Sequence, residues 1–359
     1  MRIAHVTRRP RSGSRYKYEM MFRRVHDLDV VESGSKLTGY DVAIVEGDKC
    51  RDYQQAIRAG IPYVLIQHDT ASIRFDVAED QTERQMVENA ACVLFTSETH
   101  AAWMEERYTL PPWRIVHLRP FAADLDFEPL AKVERSVVYA GGIVPLANRD
   151  KGFGYRAYHP IFARLIDAGW QVHIYPAWNG ADTDGSFHAL GCVVHDEVPQ
   201  RALYRELSQY TVGFQGYAET GPQCYVKGCR PNKLWEYLAA GIPTVGYNTG
   251  DGSKVYAGRW GTVAKTLDSL PAAAARAARI DVTPYRASEV IDGDIDVFRE
   301  LIDMAAAAEK PRIVPEVVKL SRHLKPFTFD GRTYSPGDRV AYTVALAMRD
   351  AGCIVGRGL

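Results

Sequence analysis

Long apolar runs are missing from this sequence of 359 residues. None approaches the roughly 18 residues that a membrane-spanning helix needs. The opening stretch, MRIAHVTRRPRSGSR, has no charged segment followed by an apolar one. A secretion signal is therefore not expected, and a cytoplasmic chain is. Net charge is missing as well: 44 basic residues cancel 44 acidic ones. The chain as a whole thus gives no reason to expect a polyanionic partner, although a local concentration of charge can. Cysteine is sparse. Cys50, Cys92, Cys192, Cys224, Cys229 and Cys353 are scattered along the chain, and reduced thiols are the default. Cys224 and Cys229 form the one close pair, but no second pair or nearby histidines stand in zinc-site order. No metal site is expected there. Hydrophobic residues at 46% and charged residues at 25% exclude a disordered, collagen-like or coiled-coil chain. At about 150 residues per domain the length corresponds to two domains.

What is present is alternation. Short apolar runs at residues 2–7, 40–45, 62–67 and 91–95 read as strands. Amphipathic stretches at 17–28, 52–59, 80–89 and 97–108 read as helices between them. Such alternation implies βαβ units on a parallel sheet. Residues 111–129 hold four prolines and interrupt it; a domain boundary is expected there. The alternation then restarts. Strands are expected at 136–140, 170–175, 191–195, 211–215 and 243–247, and helices at 158–168, 199–209 and 232–240. Residues 286–308 read as a helix that packs back across both units. The tail, FTFDGRTYSPGDRVAY, reads as a hairpin with turns at Asp330-Gly331 and Pro336-Gly337-Asp338, followed by a short helix over 343–350. The expected division is 1–125, 126–310 and an appendage over 311–359. The fold class is α/β, with two Rossmann-like parallel-sheet domains facing a cleft.

The sharpest motif is PNKLWEYLAAGIP, residues 231–243. It combines a polar cap at Asn232, one short helix, a glycine stop at Gly241 and a proline leading into a strand. A helix opening at the carboxyl end of a strand turns free N–H groups and its positive end toward the crevice, where anions bind. Lys233 stands in the first turn and can neutralise a phosphate. Glu236 follows at i+3, on the same face, and can accept two hydrogen bonds from vicinal hydroxyls such as those of a ribose. The bland alternative is a solvated surface pair of little energetic value.

This stretch resembles the donor-binding helix of GT-B glycosyltransferases, especially family-four-like members carrying an N-K-L-x-E-Y-L-A-A-G-x-P-x-V run. The resemblance extends more loosely over residues 1–308. It implies that Glu236 holds the ribose of a nucleotide sugar, UDP-linked by family habit. It also implies a strand ending in glycines, here Gly141-Gly142, with an arginine and a lysine on the diphosphate, here Arg149 and Lys151. Family members carry an earlier glutamate eight positions before the ribose glutamate. That position is Gly228 here, and Glu219 would have to serve through a shifted loop. The chemistry implied needs no metal cofactor: cations and the helix start meet the charge that grows on the departing diphosphate. An Asp-x-Asp at Asp182 and Asp184 lies in a glycine-rich polar stretch and reads as a solvated loop.

On the acceptor side, His68 and Asp69 follow the strand at 62–67 directly. His68 can polarise or deprotonate an acceptor hydroxyl, with Asp69 orienting it. Residues 1–26 hold eight basic residues against Glu19 alone. Arg8, Arg9, Arg11 and Arg15, with Tyr16 among them, suit an anionic acceptor such as a nucleic-acid backbone; the alternative is a solvated basic helix face. The tail looks like small hairpin appendages of bacteriophage proteins, which makes a hydroxymethylated pyrimidine in phage DNA the favoured acceptor. A glycan, protein or small-molecule hydroxyl is the alternative. Two other readings fit the same residues. One is a nucleotide-sugar 2-epimerase on the same two domains, and the other a non-catalytic nucleic-acid-binding protein on a transferase scaffold.

Overall fold

The structure is a computed structural model and describes residues 1–7, 22–47, 52–67, 70–74, 77, 80–116, 126–148, 154–177, 182–218, 223–282, 287–308, 317–319, 327–329, 332–334 and 339–341. The chain divides into two compact units, Met1–Pro311 and Arg312–Leu359.

The first unit holds two six-stranded parallel sheets. One contains β1 (Ile3–Thr7), β2 (Leu28–Glu32), β3 (Val42–Gly47), β4 (Tyr63–Gln67), β5 (Cys92–Phe95) and β6 (Trp113–Val116), in the order β2-β1-β3-β4-β5-β6. Its helices are α1 (Tyr53–Ala59), α2 (Ala71–Arg74), α3 (Gln81–Glu88) and α4 (Glu98–Arg107). Every residue of β3 and β4 is buried, as expected for parallel strands covered on both faces. Val45, Leu65 and Val93 pack toward α1, α3 and α4. Ile44, Val64, Ile66 and Leu94 pack on the opposite face against Phe298, Leu301 and Ile302 of the long helix α12 (Ala287–Ala307).

The other sheet contains β7 (Val133–Gly141), β8 (Gln171–Pro176), β9 (Val193–Val194), β10 (Tyr210–Gly216), β11 (Thr244–Tyr247) and β12 (Gly261–Ala264), in the order β9-β8-β7-β10-β11-β12. The helices α5 (His159–Asp167), α6 (Ser186–Ala189), α7 (Gln200–Leu207), α8 (Gln223–Gly228), α9 (Lys233–Ala239), α10 (Asp251–Tyr256) and α11 (Leu270–Ala277) complete it. The strand order reverses between β7 and β10. In doubly wound sheets that switch point opens a crevice at the carboxyl ends of the strands.

One contact fixes α9 over this switch point. A Cβ on Gly213 would lie 2.4 Å from the Tyr237 ring, so the glycine lets the ring lie flat against β10. The Tyr237 hydroxyl donates to the carbonyl of Phe214 (2.9 Å) and accepts from the amide of Ala140 (3.1 Å). One fully buried side chain thus ties the helix to both strands.

The structure revises several expectations. The helix expected over 17–28 is described only from residue 22, and Leu28 begins an edge strand instead of ending a helix. The proline-rich segment contains β6, whose four residues lie between the prolines. The helix expected over 286–308 packs on the first sheet, although it follows the second. Helices α8, α10 and α11 and strand β12 were not expected. In the second unit β14 (Phe327–Phe329) pairs antiparallel with β15 (Arg332–Tyr334) across a two-residue connection, as the sequence implies. β16 (Arg339–Ala341), however, pairs with β13 (Val317–Lys319) rather than continuing that hairpin. The helix expected over 343–350 lies outside the described residues.

A polar cluster occupies one face of the second sheet. His173 Nδ1 lies 3.0 Å from His195 Nε2, and the Tyr210 hydroxyl lies 3.2 Å from the same nitrogen. Tyr175 stacks on His195 with ring centroids 4.3 Å apart. Burial, and then the neighbouring His195, push His173 down to about 4.

Two expectations about stability come from these contacts. Tyr237→Phe leaves a buried amide and a buried carbonyl without their partner, and it should cost about 2 kcal/mol. Urea unfolding should show a lower midpoint at unchanged slope; an unchanged midpoint would show that the hydroxyl does not tie the helix to the sheet. His173 binds its proton more weakly folded than unfolded. Stability should therefore fall as pH drops from about 6.5 through about 4. His173→Asn should flatten that acid limb in a melting-temperature series, and an identical slope would remove His173 as its source.

Candidate active site

β7 ends at Gly141, whose φ of +147° lies outside the range that most side chains tolerate. Lys233, in the first turn of α9, reaches back over this glycine. A Cβ on Gly141 would lie 3.2 Å from its Cε and 3.4 Å from its Nζ. The ammonium sits 4.7 Å from the centroid of the Tyr139 ring. Tyr139 is held in turn: its hydroxyl donates to the carbonyl of Gly142 at 2.8 Å and lies 3.0 Å from the Tyr158 hydroxyl. A cation on an aromatic face keeps its position and part of its charge exposed to a ligand.

Arg156 supplies a second cation beside the same turn. Its Nη1 is 2.9 Å from the place a Cβ on Gly142 would take. It closes a short 3-10 turn, Gly154–Arg156, anchored by the buried Tyr155. The structure therefore places Lys233 beside Gly141 and Arg156 beside Gly142. Arg149, Lys151 and Glu219 lie outside the described residues. Arg156 carries a signal visible in the sequence, a basic residue bracketed by Tyr155 and Tyr158, but nothing local says that the chain returns to the glycines there.

Glu236 is buried, only 7% exposed. That removes the reading of Lys233 and Glu236 as a solvated surface pair. Gly241 ends the helix with φ of +70°, and the amides of Gly241 and Ile242 donate to Leu238 and Tyr237. Asn232 stands at the cap position as expected, but its side chain makes no capping hydrogen bond; its carbonyl accepts from the Glu236 amide at 3.2 Å.

Gly228 stands where the resemblance implies a glutamate. A Cβ there would lie 2.8 Å from the Thr99 side chain and from His100 Cδ2. The position faces the Thr99 and His100 side chains of α4, with no room for a carboxylate side chain. Asp182 and Asp184 also have definite partners. Asp182 accepts from the amides of Phe187 and His188 and from His188 Nδ1, and Asp184 from the amides of Ala147 and Ser186. The Ser186 hydroxyl and these amides hold Asp184 down at about 2. Within the loop expected here Asp184 is exposed, and both carboxylates also hold amides at the start of α6. Cys229 is buried beneath the Tyr217 hydroxyl, 2.8 Å from its Sγ. Among the described residues no group of three or more histidine, cysteine, aspartate or glutamate side chains is arranged to hold a metal ion.

His68 and Asp69 lie outside the described residues, as do Arg8, Arg9, Arg11, Arg15 and Tyr16. The chain on either side of the His68-Asp69 pair is firmly held. β4 ends at Gln67, and α2 starts at Ala71. Glu83 accepts from the amide of Ala71 (2.6 Å), from the hydroxyl of Ser72 (2.5 Å) and from Tyr108 (3.0 Å). Burial raises the Glu83 pKa against these hydrogen bonds. Trp103 donates to Ser72 as well, at 2.9 Å. No local sequence signal marks this anchor: the Glu83 amide donates to Asp80, the N-cap of α3, at 2.8 Å, and its carboxylate reaches residues distant in sequence.

No family model matches the chain, and no curated protein matches it. Solved structures do. HepE of Anabaena in complex with UDP-glucose aligns with a TM-score of 0.54 at 12% identity, covering 86% of this chain and 100% of that one. The apo form of the lipopolysaccharide outer core galactosyltransferase WaaB aligns at 0.51 and 15%, covering 85% and 99%. An alpha-glucosyltransferase in complex with UDP-glucose and DNA containing an abasic site aligns at 0.52 and 12%, covering 86% and 94%. At such identities the likeness is one of fold: the two parallel sheets with their helices have the GT-B architecture of these glycosyltransferases.

Proposed function

We propose that this chain transfers a sugar from a UDP-linked donor to an acceptor hydroxyl. The observation that carries this reading is the pairing of Lys233 with Gly141 and of Arg156 with Gly142 at the carboxyl end of β7. Two cations flank a backbone turn that has no side chains of its own. A diphosphate can approach that backbone closely and still meet positive charge on two sides. The buried Glu236 suits the ribose hydroxyls. As the glycosidic bond breaks, negative charge grows on the departing nucleoside diphosphate. Lys233 and Arg156 then stabilise the transition state more than the ground state. Arg149 and Lys151 are proposed to add to this charge.

For the acceptor we favour a hydroxymethylated pyrimidine in DNA. Of the eight basic residues among residues 1–26, set against Glu19 alone, seven follow β1 and give an anionic polymer something to bind. The alignment with an alpha-glucosyltransferase solved in complex with UDP-glucose and DNA supports this reading. His68 is proposed as the group that receives the acceptor proton, with Asp69 orienting it.

Incubation with a panel of nucleotide sugars and with hydroxymethylated or plain DNA, read by nucleoside mass spectrometry, tests the transfer. A hexose mass added to the modified base only is the expected result. UDP release that needs no acceptor would point to an epimerase instead. Lys233→Ala and Arg156→Ala should each lower kcat by about a hundredfold, as the loss of one preorganised donor does elsewhere. Glu236→Ala should weaken UDP binding about tenfold or more in calorimetry, and unchanged affinity would remove the ribose role. Changing Arg8, Arg9 and Arg11 together to Gln should reduce the slope of log K against log salt for duplex DNA by roughly 2 to 3. An unaltered slope would sink the basic segment as the DNA contact.

A further inference from the structure

A second polar cluster lies where the two sheet-bearing halves of the first unit touch. Ser97 follows β5 by two residues, and Asp251 follows β11 by four. Helices α4 and α10 therefore both start at the carboxyl ends of their sheets, and there they meet. The Asp251 carboxylate accepts from the Ser97 hydroxyl (2.9 Å), the Thr99 amide (3.0 Å) and its own helix neighbour Lys254 (3.0 Å). The Lys254 ammonium also lies 2.8 Å from Glu98. Asp251 is almost completely buried, with 4% of its side chain exposed. Burial alone would raise its pKa, yet hydrogen bonds from Thr99, Lys254 and Ser97 leave it lowered.

The arrangement is a divided helix cap. The first amides of any helix lack partners in the helix itself. In α4 Ser97 accepts from the His100 amide at 3.2 Å. The Thr99 amide is taken by Asp251 of the opposite half. Beside it, Gly228 brings the backbone of α8 against Thr99 and His100, where a Cβ would collide at 2.8 Å. Ile73 and Trp103 of the first half meet Tyr155, Tyr217, Val226 and Cys229 of the second in one apolar cluster. The chain runs from this contact through Arg230 directly to Lys233.

We propose that Asp251 is an interdomain catch: its carboxylate seats on the first turn of α4 and holds the segment from Gly228 to Lys233 in the position that binds a nucleoside diphosphate. The effect on the donor rests on the function proposed above; the catch itself does not. Were the halves to part, a buried carboxylate would lose two of its three donors and Lys254 its bond to Glu98. A ligand gripped by the Lys233 segment would favour the engaged state by as much as it binds that state more tightly.

The test uses the full chain and two variants with different physics. Asp251→Ala removes the charge, and Gly228→Ala inserts a steric wedge without changing charge. Lys254→Met, an exposed position, is a milder third. Both main variants should speed hydrogen exchange at Thr99 about tenfold or more and raise the radius of gyration in small-angle scattering. UDP affinity in calorimetry should fall about 5- to 50-fold. The double variant should be no worse than the worse single one, because both release the same contact. Unchanged exchange and scattering in both variants would overturn the catch. An opened molecule with wild-type UDP affinity would sever it from the donor site. Failure of the unaltered chain to bind UDP, with exchange and scattering changed as expected, would overturn the donor reading and leave the catch standing.

Discussion

The proposed donor site depends on how closely α9 lies on the sheet. Lys233 can reach Gly141 only because the helix that bears it is drawn down over the switch point between β7 and β10. Tyr237 does this one helical turn further on. Its ring occupies the space that a side chain on Gly213 would fill, and its hydroxyl satisfies one backbone group on each of the two strands. A seven-residue helix has little stability of its own, so its place comes from packing. Leu234, Trp235, Leu238 and Ala239 pack into one apolar cluster, while Tyr237 and Ala240 enter another. Lys233 and Glu236 are the polar residues left on a helix otherwise committed to the core.

The same logic explains which parts of the fold were legible in the sequence. Strands β3, β4 and β5 are buried throughout and carry the unbroken apolar runs VAIV, YVLI and CVLF, which is a strong local signal. β2 and β6 are edge strands. Leu28–Glu32 buries only Leu28 fully, and Trp113–Val116 lies in a proline-rich stretch whose composition speaks for a loop. Tertiary pairing, not propensity, makes both of them strands. α10 and β12 follow Asn248 and several glycines, a composition that masks short elements. The tail hairpin was legible because DG between FTF and RTY specifies a two-residue connection. The pairing of β16 with β13 is set by contacts between distant residues, which no turn signal reports.

The site was legible to the extent that it is contiguous. Lys233, Glu236 and Gly241 lie within nine residues and share one element. Arg156 escaped because its position depends on how the chain between β7 and α5 folds back, and Tyr155 and Tyr158, which anchor that return, look like ordinary core residues. Asp251 was invisible for a stronger reason. Its partners Ser97 and Thr99 stand about 150 residues earlier, and each end of the contact has an adequate local explanation as a helix start.

Gly228 links these strands of reasoning. By the spacing that the resemblance implies, it stands in the place of a glutamate. In the structure it is a point of close approach between the second half and α4, and any side chain there would drive Thr99 and His100 away. A carboxylate at 228 and a docked α4 are thus incompatible in this chain. The interdomain contact also comes with its own buried carboxylate, Asp251, which accepts the Thr99 amide beside that glycine. A negative charge has therefore not vanished from this corner of the crevice. It stands instead at the start of α10, directed at the first turn of α4, where it joins the two sheet-bearing halves of the first unit.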